Sequence, residues 1–67
     1  MNTASTDAAV LASLTETPTV SLRDLGKSLG ISRTTAHKAV RRLVAAGTVT
    51  VLEVGRHADH PSRYAVK

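Results

Sequence analysis

Cysteine is absent from this chain, so neither a disulfide framework nor a thiolate zinc site can reinforce it. Phenylalanine and tryptophan are absent too, and Tyr64 is the only aromatic residue. The core must therefore be aliphatic. The shortage also weighs against single-strand or RNA readers that stack bases on aromatic platforms. No apolar run approaches the ~20 residues of a membrane span, and no signal-peptide pattern opens the chain. The expectation is a soluble cytoplasmic protein with no membrane partner. No carboxylate pair or base–nucleophile arrangement stands out, and so short a chain leaves no room for a deep pocket. No catalytic residue is assigned, an enzyme is not expected, and no cofactor is implied.

What is present is a small basic domain. The 67 residues are read as one domain, 1–67, with a small core and modest stability. The net charge of +4 is unevenly placed. Residues 1–31 set two cations against three carboxylates, a net −1, whereas residues 32–67 set seven against two, a net +5. A basic half beside a near-neutral half is the electrostatic footprint of a polyanion binder.

Periodicity divides the chain into three helices and an extended tail. Residues 1–6 are small and polar and are expected to fray. Ser5 or Thr6 can cap a first helix over about 7–16, with Asp7 in its first turn. Val10, Leu11 and Leu14 give that helix its apolar stripe, and Thr17-Pro18 stops it. Val20 reads as a single extended residue, able to pair as a minimal strand. Ser21 is the expected cap of a second helix over about 22–29, with Leu22, Leu25 and Leu29 on one face and Gly30 as its left-handed stop. Ile31 follows as a buried pivot and Ser32 as the next cap. The third helix, about 33–46, should turn Ala36, Val40 and Leu43 inward and Arg33, Thr34, His37, Lys38 and Arg41 outward, ending at Gly47.

Beyond Gly47 the period becomes extended, and a wing of two strands is expected over about 48–67. The run TVTVLEV at 48–54 is rich in β-branched residues. Val49 and Val51 lie on one parity, Leu52 and Val54 on the other. Either a bulge falls near Val51-Leu52 or one pair is exposed. Residues 55–62 (GRHADHPS) form a turn-rich loop, and Tyr64 and Val66 of the closing strand should face inward. His57-Ala58-Asp59-His60, with or without His37, matches no zinc spacing, so no metal site is assigned.

Three helices followed by a two-stranded hairpin give an α+β fold that resembles the winged helix-turn-helix superfamily. The resemblance is carried by LGISRTTAHKAVRRLVAAGTV at 29–49: a helix ending in Leu-Gly, an aliphatic-Ser step, Arg-Thr-Thr, an amphipathic helix, then Leu-x-x-x-Gly and a valine strand. Similar stretches occur in DNA-binding domains of bacterial regulators and in the DNA-reading domains of plasmid and phage replication, partition and transfer proteins. Val44, Ala45 and Ala46 depart from it by making the end of the third helix unusually apolar. No dimerisation helix or effector domain follows the wing, so the expectation is either a very small autonomous protein or one domain of a longer chain.

The resemblance implies double-stranded DNA as partner, with the third helix in the major groove. Arg33 and Thr34 occupy its first turn, and Arg33 can pair bidentately with guanine. His37 and Lys38 face the same way one turn on, and Arg41 is better placed for a phosphate. Ser32 and Thr35 can cap the helix or bind phosphate at its N-terminus. In the wing, Arg56 near the tip can enter a minor groove, with His57 and His60 beside it and Arg63 directed at phosphate. Ser21 and Arg42 are the weaker candidates for backbone contact. Tight specific binding would need two copies on repeated half-sites, as a homo-oligomer, or fusion to a larger protein. The alternative is a protein–protein docking module using Val44, Ala45, Ala46, Leu52 and Val54. Shape-selective binding of left-handed duplexes would need an aromatic in the third helix, which has none.

Overall fold

A computed structural model describes residues 3–56 and 60–67. The element order is α1 (Thr3–Glu16), β1 (Thr19–Val20), α2 (Leu22–Leu29), α3 (Arg33–Ala45), β2 (Val49–Glu53) and β3 (Ser62–Val66). The strands form an antiparallel sheet in the order β1-β3-β2, so the two-residue β1 adds a third strand to the hairpin expected from the sequence. Its ladder pairs Thr19 with Arg63 and Val20 with Ser62. The Tyr64 amide donates to the Pro18 carbonyl at 2.8 Å.

The first helix begins at Thr3, so residues 3–6 are helical rather than frayed. Thr6 is not its cap. It lies inside the helix, 5% exposed. Small side chains at 4–6 can enter a helix wherever their face meets a neighbour, and this one packs beside α2 and α3. Asp7 consequently lies a turn inside the helix, beyond the reach of its N-terminal dipole. The end at Glu16 falls where Thr17-Pro18 requires it.

The core joins all three helices to the sheet. Val10 and Leu14 of α1, Leu25 of α2, Ala36, Ala39, Val40 and Leu43 of α3, Val49 and Tyr64 are buried together. Ala39 completes the inward stripe of α3.

Two glycines end the helices by the same geometry. At Gly30 (φ 69°) the Ile31 amide reaches back to the Gly26 carbonyl at 2.9 Å. At Gly47 (φ 77°) the Thr48 amide reaches the Leu43 carbonyl and the Gly47 amide the Val44 carbonyl, both at 3.0 Å. These backward bonds satisfy carbonyls that the last turn leaves without partners, and they need a left-handed residue at that point.

Gly26 has a different task. A Cβ there would lie 2.8 Å from the Ile31 carbonyl oxygen and 3.4 Å from the Arg33 nitrogen, both main-chain atoms that cannot swing aside. Its absence lets the turn close against α2. Gly26→Ala should therefore destabilise the fold by about 1–3 kcal/mol, although alanine is the better helix former. A urea titration checks this, and a rise in midpoint would contradict it.

Both ways of resolving the valine parity in β2 occur. The β2–β3 register shifts between Val51 and Glu53, a bulge at Leu52. Val49 is buried and Val51 half-buried, while Leu52 and Val54 are exposed.

Candidate nucleic-acid interface

The third helix is held from both ends and from below. Ser32 has extended backbone, and its Oγ accepts the Thr35 amide at 3.1 Å and donates to Thr35 Oγ1 at 2.8 Å. Ser32 thus caps the helix with its hydroxyl and stays exposed, while half-buried Thr35 supplies the amide it accepts. The four buried residues Ala36, Ala39, Val40 and Leu43 fix the rotation of α3 about its axis. At 3.6 residues per turn, Arg33, Thr34, His37, Lys38 and Arg41 then share an arc of about 140° on the opposite side. All five are exposed.

Arg33, His37 and Arg41 follow at four-residue steps and form the row facing the wing. Across a groove of about 680 Å³ stand Arg56 and His60 of the wing. Lys38 lies outside the groove, on the far edge of the arc. Among the described residues, Arg33, His37, Lys38, Arg41 and Arg56 have no ion-pair partner.

The wing tip is closed by an interaction with no signature in the local sequence. Ser62, 8% exposed, accepts the Gly55 amide on its Oγ at 2.8 Å. This bond joins the two ends of the loop and fixes where Arg56 and His60 leave the sheet. A Cβ on Gly55 would collide with the His60 carbonyl oxygen. Arg63 is exposed on β3, its Nε 3.9 Å from a Glu53 carboxylate oxygen. His57 lies outside the described residues.

Two candidates fall elsewhere. Ser21 is 2% exposed, and its Oγ accepts the Asp24 amide at 3.1 Å. Its hydroxyl is spent on capping α2 and offers no surface to a phosphate. Arg42 sits beyond the arc on the side of α1, where its guanidinium grips Asp7 through Nη2 at 2.8 Å and Nε at 3.1 Å. The hydrogen bond from Arg42, helped by its charge, lowers the Asp7 carboxyl below its ordinary value. The pair therefore contributes at every pH above the ordinary carboxylate range and is lost as pH falls through the lowered value. Arg42 acts as a tie between α1 and α3. No helix among the described residues is long and apolar enough to cross a membrane.

Three large apolar residues are also exposed on α3 and the wing. Val44 is 38% exposed, Leu52 53% and Val54 80%, and Val44 and Val54 line the groove between α3 and the wing. The arrangement is a rigid helix with its cations on one arc, an arm beside it, and a concave apolar floor between.

Residues 4–50 match the model of a family described as winged helix-turn-helix DNA-binding. The match takes in all three helices and the start of β2. No curated protein and no solved structure matches the chain.

Proposed function

The chain belongs to the winged helix-turn-helix DNA-binding family, and on that premise we propose that it binds double-stranded DNA with α3 in the major groove and the wing against the neighbouring backbone or minor groove. One observation carries this reading. The cations on the exposed arc of α3 have no ion-pair partner among the described residues, whereas Arg42, just off the arc, is paired. Unpaired cations on one face of a fixed helix suit a phosphate-lined groove.

Within that reading Arg33 contacts a guanine edge, and Thr34, His37 and Lys38 contact neighbouring bases or sugars. Arg41 binds a phosphate, and Ser32 and Thr35 present the helix N-terminus to another. In the wing, Arg56 reaches into the minor groove, with His57, His60 and Arg63 along the backbone. The protein would act as one domain, 1–67, in the cytoplasm. It would be a transcription regulator or the DNA-reading domain of a larger protein that handles plasmid, phage or chromosomal DNA. Two copies on repeated half-sites would supply the affinity that one module lacks.

Selection of bound duplexes from a random pool at moderate salt tests the reading. A recovered motif with a preferred guanine step is expected. Three or four phosphate contacts predict a slope of about −2.7 to −3.6 in log affinity against log salt, at roughly −0.9 per phosphate. Binding without salt dependence would refute the electrostatic part, and recovery of no motif would refute base reading.

A further inference from the structure

We propose that the groove between α3 and the wing also accepts an acidic amphipathic peptide segment of a partner protein, which competes with DNA. The competition rests on the DNA reading above, whereas the peptide site does not. The groove has two kinds of surface. Its walls are cationic or imidazole side chains, Arg33, His37 and Arg41 on one side and Arg56 and His60 on the other. Its floor is aliphatic and aromatic, built from Val40, Val44, Val51 and Tyr64, with Val54 at the wing edge. No carboxylate lines it among the described residues.

Phosphates can satisfy the walls but bring little aliphatic surface to the floor. Val54 is left 80% exposed by the fold. Val44, 38% exposed, and Val54 offer aliphatic contact beside the cations. A segment whose aliphatic side chains face the floor and whose carboxylates face the walls would satisfy both surfaces at once. Charge complementarity also selects the occupant. A second copy of this chain, with its net charge of +4, would bring more positive charge to a positive groove. The 13 residues of α3 span about 20 Å at 1.5 Å per residue, enough to seat roughly three turns of a partner helix. Because the walls include Arg33 and Arg41, a seated peptide would cover the cations proposed to hold DNA.

The test starts from random peptides of about 16 residues displayed on phage and selected on the intact chain. The strongest is then synthesised with a fluorescent label and titrated directly, and afterwards against a duplex. The expected winners are acidic, with aliphatic residues at helical spacing. Val54→Ser and Val44→Ser should weaken the peptide by about tenfold while leaving duplex affinity unchanged. Circular dichroism would verify that both variants remain folded. Selection of no peptide, or of neutral or basic ones, overturns the proposal. So does peptide binding that polyglutamate matches and Val54→Ser does not weaken, since the groove would then be an anion surface only. Duplex binding that a saturating peptide fails to displace also overturns it. If the chain binds the acidic peptide through Val54 but no duplex at all, the peptide site stands and the DNA reading falls with the competition.

Discussion

Leu25→Ala is expected to remove a large share of the domain's stability and to lower its melting temperature by at least about 8 °C. Leu25 is fully buried at the centre of α2, in the cluster that joins α1, α3 and the sheet. Truncating such a leucine costs about 2–5 kcal/mol, the transfer of its methyls plus the cavity they leave. A domain of 67 residues at the usual stability per residue has only roughly 3–10 kcal/mol in all. With no cysteine in the chain, no disulfide can make up the loss. Thermal unfolding followed by circular dichroism checks this. Each kcal/mol shifts the midpoint by about 4–8 °C in a domain of this size, so the variant should melt at least 8 °C lower or show no cooperative transition. Leu22→Ala, at a half-buried position of the same helix, serves as the comparison and should lose much less. A Leu25→Ala protein that melts near the wild type would mean the core has no such centre.

Leu25 could be singled out from the sequence because its neighbours repeat at helical spacing and its helix has signals at both ends. The same holds for the rotation of α3 and for the stops at Gly30 and Gly47. These features are local: a cap, a stripe and a left-handed glycine all lie within one element. What the sequence concealed is non-local. Gly26 reads as a weak point inside a helix until the turn is seen folded back against it. Arg42 reads as one more cation on α3, and only the crossing of α1 brings Asp7 to it from 35 positions away. Ser62 reads as a loop residue, yet its hydroxyl holds the far side of the same loop. Ser21 reads as a cap and only weakly as a phosphate ligand, and its burial by the assembled fold decides for the cap. The start of α1 was hidden for a related reason. Thr3-Ala4-Ser5-Thr6 has little helical preference of its own, and packing of Thr6 supplies what propensity lacks.

This division bears on how charge is allotted. Arg42 and Arg63 each face a carboxylate, although the Arg63 contact is long and exposed. Surface pairs of this kind stabilise little, so Arg63 can still turn to a phosphate, whereas the two-nitrogen grip on Asp7 holds Arg42 to α1. Among the described residues, Arg33, Lys38 and Arg41 on α3 and Arg56 in the wing have no ion-pair partner. Of the seven cations in residues 32–67, five thus have no ion-pair partner among the described residues, and their placement matters more than the net count.

The sharpest test of the DNA reading is the contrast between Arg33→Ala and Arg41→Ala. Both side chains are exposed and have no ion-pair partner among the described residues, so neither change should disturb the fold. They lie eight residues apart, two turns along one row, and differ in where the helix brings them. Arg33 is the first residue of α3, beside the Ser32 cap, and in this family's docking geometry that end meets base edges. A bidentate pair with guanine discriminates by about 1–3 kcal/mol. Arg33→Ala should therefore lower affinity for the preferred duplex by roughly 5- to 150-fold while changing affinity for a mismatched duplex much less. Arg41, further from the cap, should act through phosphate. Its alanine variant should weaken matched and mismatched duplexes by the same factor and reduce the salt slope by about one. Fluorescence anisotropy with the selected duplex and its single-step mismatches, at two salt concentrations, separates the outcomes. Equal losses on every sequence for both variants would mean that α3 grips the backbone along its whole length and reads no base through Arg33. A loss of discrimination on Arg41→Ala alone would place the reading end of the helix at its other terminus.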